Sequence, residues 1–362
     1  MKSIPAIRSV FAVALLATPS ALAQAPSPDT TSPLTLEAPQ PPSRNRFGLS
    51  YRMGLNAPLS FKHLGGYPAL SAVRYTPDGD RYNYDNGYVL TDSSGNAMGY
   101  SRYWGYDSGS QVGGDTTVVM QRSSSVATAS SNDHTDVPMN GVELTYNREF
   151  IRKKSWRGGL EGGFGYNFMS VHDSGTQSAS VTQVNDTYSF PAGGGGGGAV
   201  VPSSPYTGHR DTPGPVVMAS PSRTTSDVQQ LASISGSRDF SADLFSFRVG
   251  PYVEIPISKS ITFGLSGGFA LMLVSSQFSY NETVTIPGVG SVDHRASGSN
   301  SDWLPGFYVG GNVSVALSES WSIVAGAQFE DVGHYTQTLK GQQATLDLSR
   351  LIFVSIGVTY SF

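Results

Sequence analysis

The chain alternates apolar and polar residues in eight separate runs. In the first, Phe47, Leu49, Tyr51 and Met53 interleave with Gly48, Ser50, Arg52 and Gly54, the period-two pattern of a strand with one apolar face. The pattern returns at Val142, Leu144 and Tyr146, and again from Trp156 through Leu160, Phe164 and Tyr166 to Phe168. Further runs cover residues 245–255, 261–273, 307–317, 321–329 and 352–362. Eight strands are predicted. Their connections alternate in length: 151–155, 256–260 and 318–320 are tight, whereas 58–138, 172–239, 280–303 and 331–344 are long and polar.

An even number of antiparallel strands, joined by brief turns at one end and long loops at the other, is the signature of a transmembrane β-barrel. Which face is apolar settles the choice against a soluble sandwich, whose large side chains point inward to one core. Here the alternate face is mostly Gly, Ser, Thr and Asn with a few Arg and Glu, a set suited to a narrow lumen. The aliphatic and aromatic face is then left for lipid. Trp156, Phe150, Trp321, Tyr360 and Phe362 fall at strand ends, where amphipathic rings sit at headgroup level. The fold class expected is all-β, an eight-stranded antiparallel transmembrane β-barrel with short periplasmic turns and long extracellular loops. A ten-stranded variant would recruit 116–121 and 181–190, runs short for spanning.

Composition agrees and trims the chemistry. Only 14% of the 362 residues are charged and the net charge is −4, without the basic block of a nucleic-acid binder. There is no Cys, which removes disulfides and thiolate chemistry. Lys2 and Arg8 precede the apolar run 10–17 and the small-residue site Ala21-Leu22-Ala23, so residues 1–23 read as a secretory signal peptide. Six prolines between Pro26 and Pro42 make 24–45 an extended periplasmic linker, and 46–362 the barrel.

The last strand ends Ser355-Ile-Gly357-Val-Thr-Tyr360-Ser-Phe362. This resembles the closing-strand signal of Gram-negative outer-membrane β-barrel proteins, and the strand count is similar to that of the small OmpA- and OmpW-type barrels. The resemblance implies a chain in the outer membrane among lipid and lipopolysaccharide, inserted by the barrel-assembly machinery, with Ser355, Gly357, Tyr360 and Phe362 forming the signal.

Candidate chemistry is sparse. Arg52, Glu143, Glu161, Arg248 and Glu254 share the polar parity of their strands and must be paired or solvated in so narrow a lumen. They read as a salt-bridge plug, or alternatively as a gate for ions or small solutes. His172-Asp173-Ser174 has His-x-Ser spacing on the lipid-facing parity, a pair that resembles the His and Ser of outer-membrane lipid A deacylases. The resemblance implies a lipid A acyl hydrolase as a remote alternative, but no clear lipid-facing acid is evident to orient the imidazole. Gly264-Leu-Ser266-Gly-Gly268 matches G-x-S-x-G without the strand-to-helix turn that motif needs. His63, His134, His209, His294 and His334 are scattered, Gly193–Gly198 reads as flexible loop, and Asp78, Asp80, Asp85 and Asn86 read as turn formers. No metal, cofactor or catalytic residue is expected. Tyr75, Tyr82, Tyr84, Tyr88, Tyr100, Tyr103, Trp104 and Tyr106 make the first loop aromatic, either a small β-rich cap packed on itself or an exposed recognition surface for an extracellular ligand. The function expected is non-enzymatic, an anchor for large surface loops, with a narrow porin-like passage as the alternative.

Overall fold

The computed structural model describes residues 44–71, 73–75, 79–91, 98–131, 134, 138–191, 201–208 and 214–362. The signal peptide, nearly all of the Pro-rich linker, Asp78, the 193–198 glycine run and His209 lie outside these residues.

Eight strands close a ring: β1 (Asn45–Leu55), β2 (Met139–Arg152), β3 (Arg157–Asp173), β4 (Ser222–Pro256), β5 (Ile261–Ile286), β6 (Gly290–Ala316), β7 (Trp321–Asp331) and β8 (Leu351–Ser361). Each pairs antiparallel with its chain neighbours, and β1 meets β8 from Arg46↔Ser361 to Leu55↔Ile352. A closed ring has no edge, so the strands satisfy one another's backbone N–H and C=O groups at lipid depth.

Parity decides the two faces, as the alternation requires. Leu49, Phe269 and Ile356 are 53%, 78% and 58% exposed on the outside, whereas Arg52, Glu143 and Ser246 are buried inside. On β8 the outward apolar series runs from Ile352 to Phe362. That span is about 33 Å along the strand and about 25 Å across the membrane at a tilt of about 40°, the height of an outer-membrane apolar band. Aromatics border it. At the turn rim Tyr360 packs on Trp321 (5.0 Å between ring centroids) and Phe362 stacks on Phe47 (5.7 Å); at the loop rim Trp303 lies 6.1 Å from Phe247.

The long connections are far more ordered than the polar sequence implied. The segment 280–303 is no loop: β5 and β6 continue through it, still paired up to Ile286↔Gly290. The reach beyond Trp303 is 13 residues, about 40 Å of strand. The segment 172–239 contains the strand Gln177–Ser189, which pairs with the start of β4, and 331–344 becomes the hairpin His334–Leu339 and Gln342–Asp347, joined by Leu59–Lys62. Thr117–Ser124 and the 181–190 segment are strands and pair with each other, but they extend the wall outside the ring, which keeps eight members. Long polar strands lack the apolar alternation that marks lipid-facing ones, because both of their faces meet water or a protein interior.

The seam between β1 and β8 depends on Gly357. A Cβ at that position would fall 2.5 Å from the Ser50 Cα and closer still to the Leu49 carbonyl oxygen, so no larger residue fits without parting the strands. Gly357→Val is expected to lower the heat-modifiable, folded fraction several-fold while secretion across the inner membrane continues. Densitometry of unboiled gels and periplasmic fractions measures both.

Candidate functional site

Inside the ring, β1, β2, β3, β4 and β7 aim charges at one another. Arg52 Nη2 donates to Glu330 Oε2 at 2.9 Å and its Nη1 to Ser246 Oγ at 2.8 Å, with Glu143 Oε1 at 3.4 Å. Arg248 Nε donates to the same Glu143 oxygen at 2.9 Å, and Nη1 bonds Glu161. Asn147 Nδ2 supplies a further donor to Glu161 at 2.7 Å. The glycine-rich face of β3 makes this possible, since a Cβ at Gly163 or Gly165 would collide with the guanidinium of Arg248 or Arg52. Glu254 is held separately, by Arg46 and by Arg157 Nε at 2.5 Å.

The five charges expected in the lumen are therefore all inside it, but in two groups rather than one. Three partners were missed: Arg46, Arg157 and Glu330. Arg46 and Glu330 stand one position beyond the apolar series used to delimit their strands, so extending the parity count by one residue would have found them. With them the two groups hold four arginines and four glutamates, formally neutral, and among the described residues buried Glu149 on the same face of β2 is matched by Arg152 at 2.5 Å. Neutrality matters in a space that excludes bulk water, where one unmatched charge costs several kcal/mol. Beside the cluster lies a polar cavity of about 70 Å³, lined in part by Ser50, Thr145, Asn312 and Gln328, room for a few water molecules.

On the loop side of the charges the interior turns apolar. Leu59, Phe61 and Leu64 enter the mouth and are fully buried against a core that includes Met139, Met169, Leu244, Met272 and Phe353. Phe61 stacks on Phe278 at 5.5 Å, and the Arg52 guanidinium lies 3.2 Å from the Phe353 ring centroid, joining the two layers. Further out, buried Arg238 donates to Asp173 Oδ2 at 2.7 Å and pairs with Glu282, which also accepts from Gln342 Nε2 at 2.7 Å. That cluster ties β3, β4, β5 and the hairpin together.

The aromatic loop folds into a cap. Tyr84, Trp104 and Tyr106 are buried with Met120, Tyr188 and Val217, and the Trp104 indole donates to the Pro215 carbonyl at 2.8 Å. These three side chains are thus a core and are not offered as a recognition surface. Asp186, fully buried, anchors the cap to β4: Arg223 donates to it twice, at 2.6 and 2.8 Å, and the Tyr84 hydroxyl donates at 2.9 Å. Burial pushes this carboxyl up, but the Arg223 fork and the Tyr84 hydroxyl outweigh it and hold the pKa below the ordinary aspartate value. Burial drives the Tyr188 hydroxyl up to about 12. Asn86 accepts from the Gln121 amide at 2.8 Å, a turn role.

His172 does have an acid beside it, contrary to the sequence reading. Asp239 on β4 sits directly across, its Oδ1 2.6 Å from His172 Nδ1. The pair faces outward, both side chains more than half exposed, and among the described contacts Ser174 makes no hydrogen bond to the imidazole. His334 and Asp347 form the same kind of cross-strand pair at 3.0 Å on the hairpin, so a solvated His–Asp neighbour pair occurs twice among the described residues. Ser266 lies mid-strand in β5 with no helix following. No group of three or more potential metal ligands occurs among the described residues.

No protein-family model matches the chain, and no curated protein sequence does. Solved structures similar to it include the outer membrane protease OmpT from Escherichia coli, at 9% identity over 89% of this chain and 97% of that one, TM-score 0.31. Ail, the attachment invasion locus protein of Yersinia pestis, follows at 10% identity over 89% and 99%, TM-score 0.26. A FadL homologue of Pseudomonas aeruginosa is similar at 8% identity over 88% and 90%, TM-score 0.17. The closed ring and its outward apolar band define the fold, that of an outer-membrane β-barrel.

Three outcomes are expected. Arg248→Ala leaves Glu143 with Arg52 at 3.4 Å and Glu161 with the Asn147 amide alone and should cost about 3 kcal/mol, seen as an earlier urea midpoint for the refolded barrel. The Asp186 contribution is complete above the unfolded value of 3.8 and is lost as pH falls through the lower folded value; Asp186→Asn should weaken the cap at neutral pH and flatten its acid transition, followed by Trp fluorescence. Ser174→Ala should leave the lipid A mass spectrum of expressing cells identical to wild type.

Proposed function

We propose that this protein is a sealed outer-membrane anchor that holds a folded β-structure beyond the membrane for contact with other molecules. The observation that carries the reading is a lumen closed twice, by a neutral ionic layer and by an apolar one, beneath strands that continue far past the apolar band. By the usual asymmetry of such barrels, the short turns face the periplasm and the long connections face outward. Eight strands leave no wide channel, and here each lumen guanidinium is already used by a carboxylate. A narrow passage is therefore the weaker reading. Outer-membrane lipid and lipopolysaccharide surround the apolar band, and the barrel-assembly machinery reads the closing strand at Ser355, Gly357, Tyr360 and Phe362. The reading includes no catalytic step.

Single-channel recording of the refolded chain is expected to show no discrete openings; reproducible steps would replace this reading with a pore. In parallel, short linkers replacing 66–127 and 191–221 should leave a heat-modifiable barrel but reduce adhesion of expressing cells to protein-coated surfaces. Equal adhesion by trimmed and full chains would count against display.

A further inference from the structure

The sheet that rises past the membrane ends in an open edge. β6 pairs with β5 over its whole length, but with β7 only from Phe307↔Asp331 to Ala316↔Ser322. β7 does not continue beside it: at Gly333, φ +81°, the chain turns into the hairpin, which lies against the inner face of the wall. There Gln337 Nε2 donates to the Gly298 carbonyl at 2.9 Å, and the Tyr335 and Ser276 hydroxyls are 2.6 Å apart.

Ladder alternation shows which backbone groups face the gap. The Ala316 N–H bonds the Ser260 carbonyl, toward β5, and the Leu317 N–H bonds the Trp321 carbonyl, toward β7. No register shift interrupts β6 between Gly290 and Val315. Odd-numbered residues therefore turn their N–H and C=O away from β5, and Ser291, Asp293, Arg295, Ser297, Ser299 and Ser301 find no strand there among the described residues. Below them the edge is closed off, since the Trp303 N–H bonds Asp302 Oδ1 at 2.8 Å and Pro305 has no N–H. Between 291 and 301 stand no Pro, no Lys and no bulge, three of the usual guards of an exposed edge, and its only charged side chains are Asp293 and Arg295.

The charges on this edge say what fits it. Asp293 and Arg295 point outward, held by Thr283 (2.7 Å) and Asn281 (3.2 Å) of β5. In an antiparallel pair, a strand complementary to Asp293-His-Arg295 must itself read acidic-x-basic, which this segment does. A two-fold axis at His294 sets Asp293 against Arg295 of the second copy, and Arg295 against its Asp293. The same register pairs Ser291 with Ser297, and every outward-facing backbone group from 291 to 297 meets another. His294 itself points inward, its Nε2 donating to the Gly66 carbonyl at 2.7 Å, and leaves the edge clear. Antiparallel strands place the two barrel axes in opposite directions, and Ser291–Ser297 is at the tip of the wall beside the β5–β6 turn. We propose that the β6 tip is a self-docking site, joining two copies of this chain edge to edge across two apposed membranes.

The inference rests on the display reading and names its partner. It is tested with vesicles carrying the refolded full chain, labelled in two colours and scored for tethering. Wild-type vesicles are expected to tether. Asp293→Arg and Arg295→Asp, both on exposed side chains, should each lower the tethered fraction about tenfold, because like charges then face each other. A mixture of D293R vesicles with R295D vesicles should tether again, since opposite charges meet in both pairs. Ser297→Pro, which removes an edge N–H without touching the β5 ladder, should abolish tethering. Heat-modifiable mobility checks that each variant is folded. Absence of wild-type tethering, tethering indifferent to either charge reversal, or no rescue in the mixture would each overturn the inference. A silent bilayer would leave the display reading standing in those cases, whereas conductance would remove that reading whatever the vesicles do.

Discussion

A backbone in lipid has no water to satisfy its hydrogen bonds, and from that constraint the rest of this molecule follows. The strands must close on themselves, so β1 has to meet β8 in register over the full height of the apolar band. Closure with eight strands fixes a narrow lumen. A narrow lumen, in turn, demands small residues on its wall wherever a long side chain crosses it, and this is the physical role of Gly163 and Gly165 beside Arg248 and Arg52.

The same narrowness governs the electrostatics. Arginine and glutamate taken out of water are tolerated only when each finds a partner of good geometry, and the two interior groups supply four of each while Arg152 matches buried Glu149. The apolar layer formed by Leu59, Phe61 and Leu64 with the ring interior makes the seal double. On the proposed reading, together they turn a potential conduit into a rigid post. Much of the chain's length is then spent beyond the membrane, where β4, β5 and β6 outrun their neighbours and the Asp186 and Arg238 clusters lock the added strands together.

Beyond the lipid the rule on edges relaxes, because water can satisfy an unpaired N–H. That difference explains how β6 can lose β7 as a neighbour above Phe307 without penalty to the barrel. It also leaves the β6 edge of the wall free to accept another strand. His172 with Asp239, and His334 with Asp347, are cross-strand pairs in the same solvated region beyond the lipid, both exposed to water.

The sequence alone determined the ring. Period-two alternation places Leu49, Phe269 and Ile356 on one face and Arg52, Glu143, Glu161, Arg248 and Glu254 on the other, because side-chain direction in a strand follows from position parity and needs no tertiary information. Pairing was not legible in the same way. Which lumen arginine meets which glutamate depends on strand register and tilt, so Glu330 joining Arg52, and Glu254 leaving the main cluster for Arg46 and Arg157, were decided only in three dimensions. The long polar segments were misread as loops for a related reason. Residues 280–303 carry Ser, Thr and Asn on their outward face, a composition that looks like loop in one dimension. Only their partners across the ladder, and the hairpin packed against their inner face, make them strands.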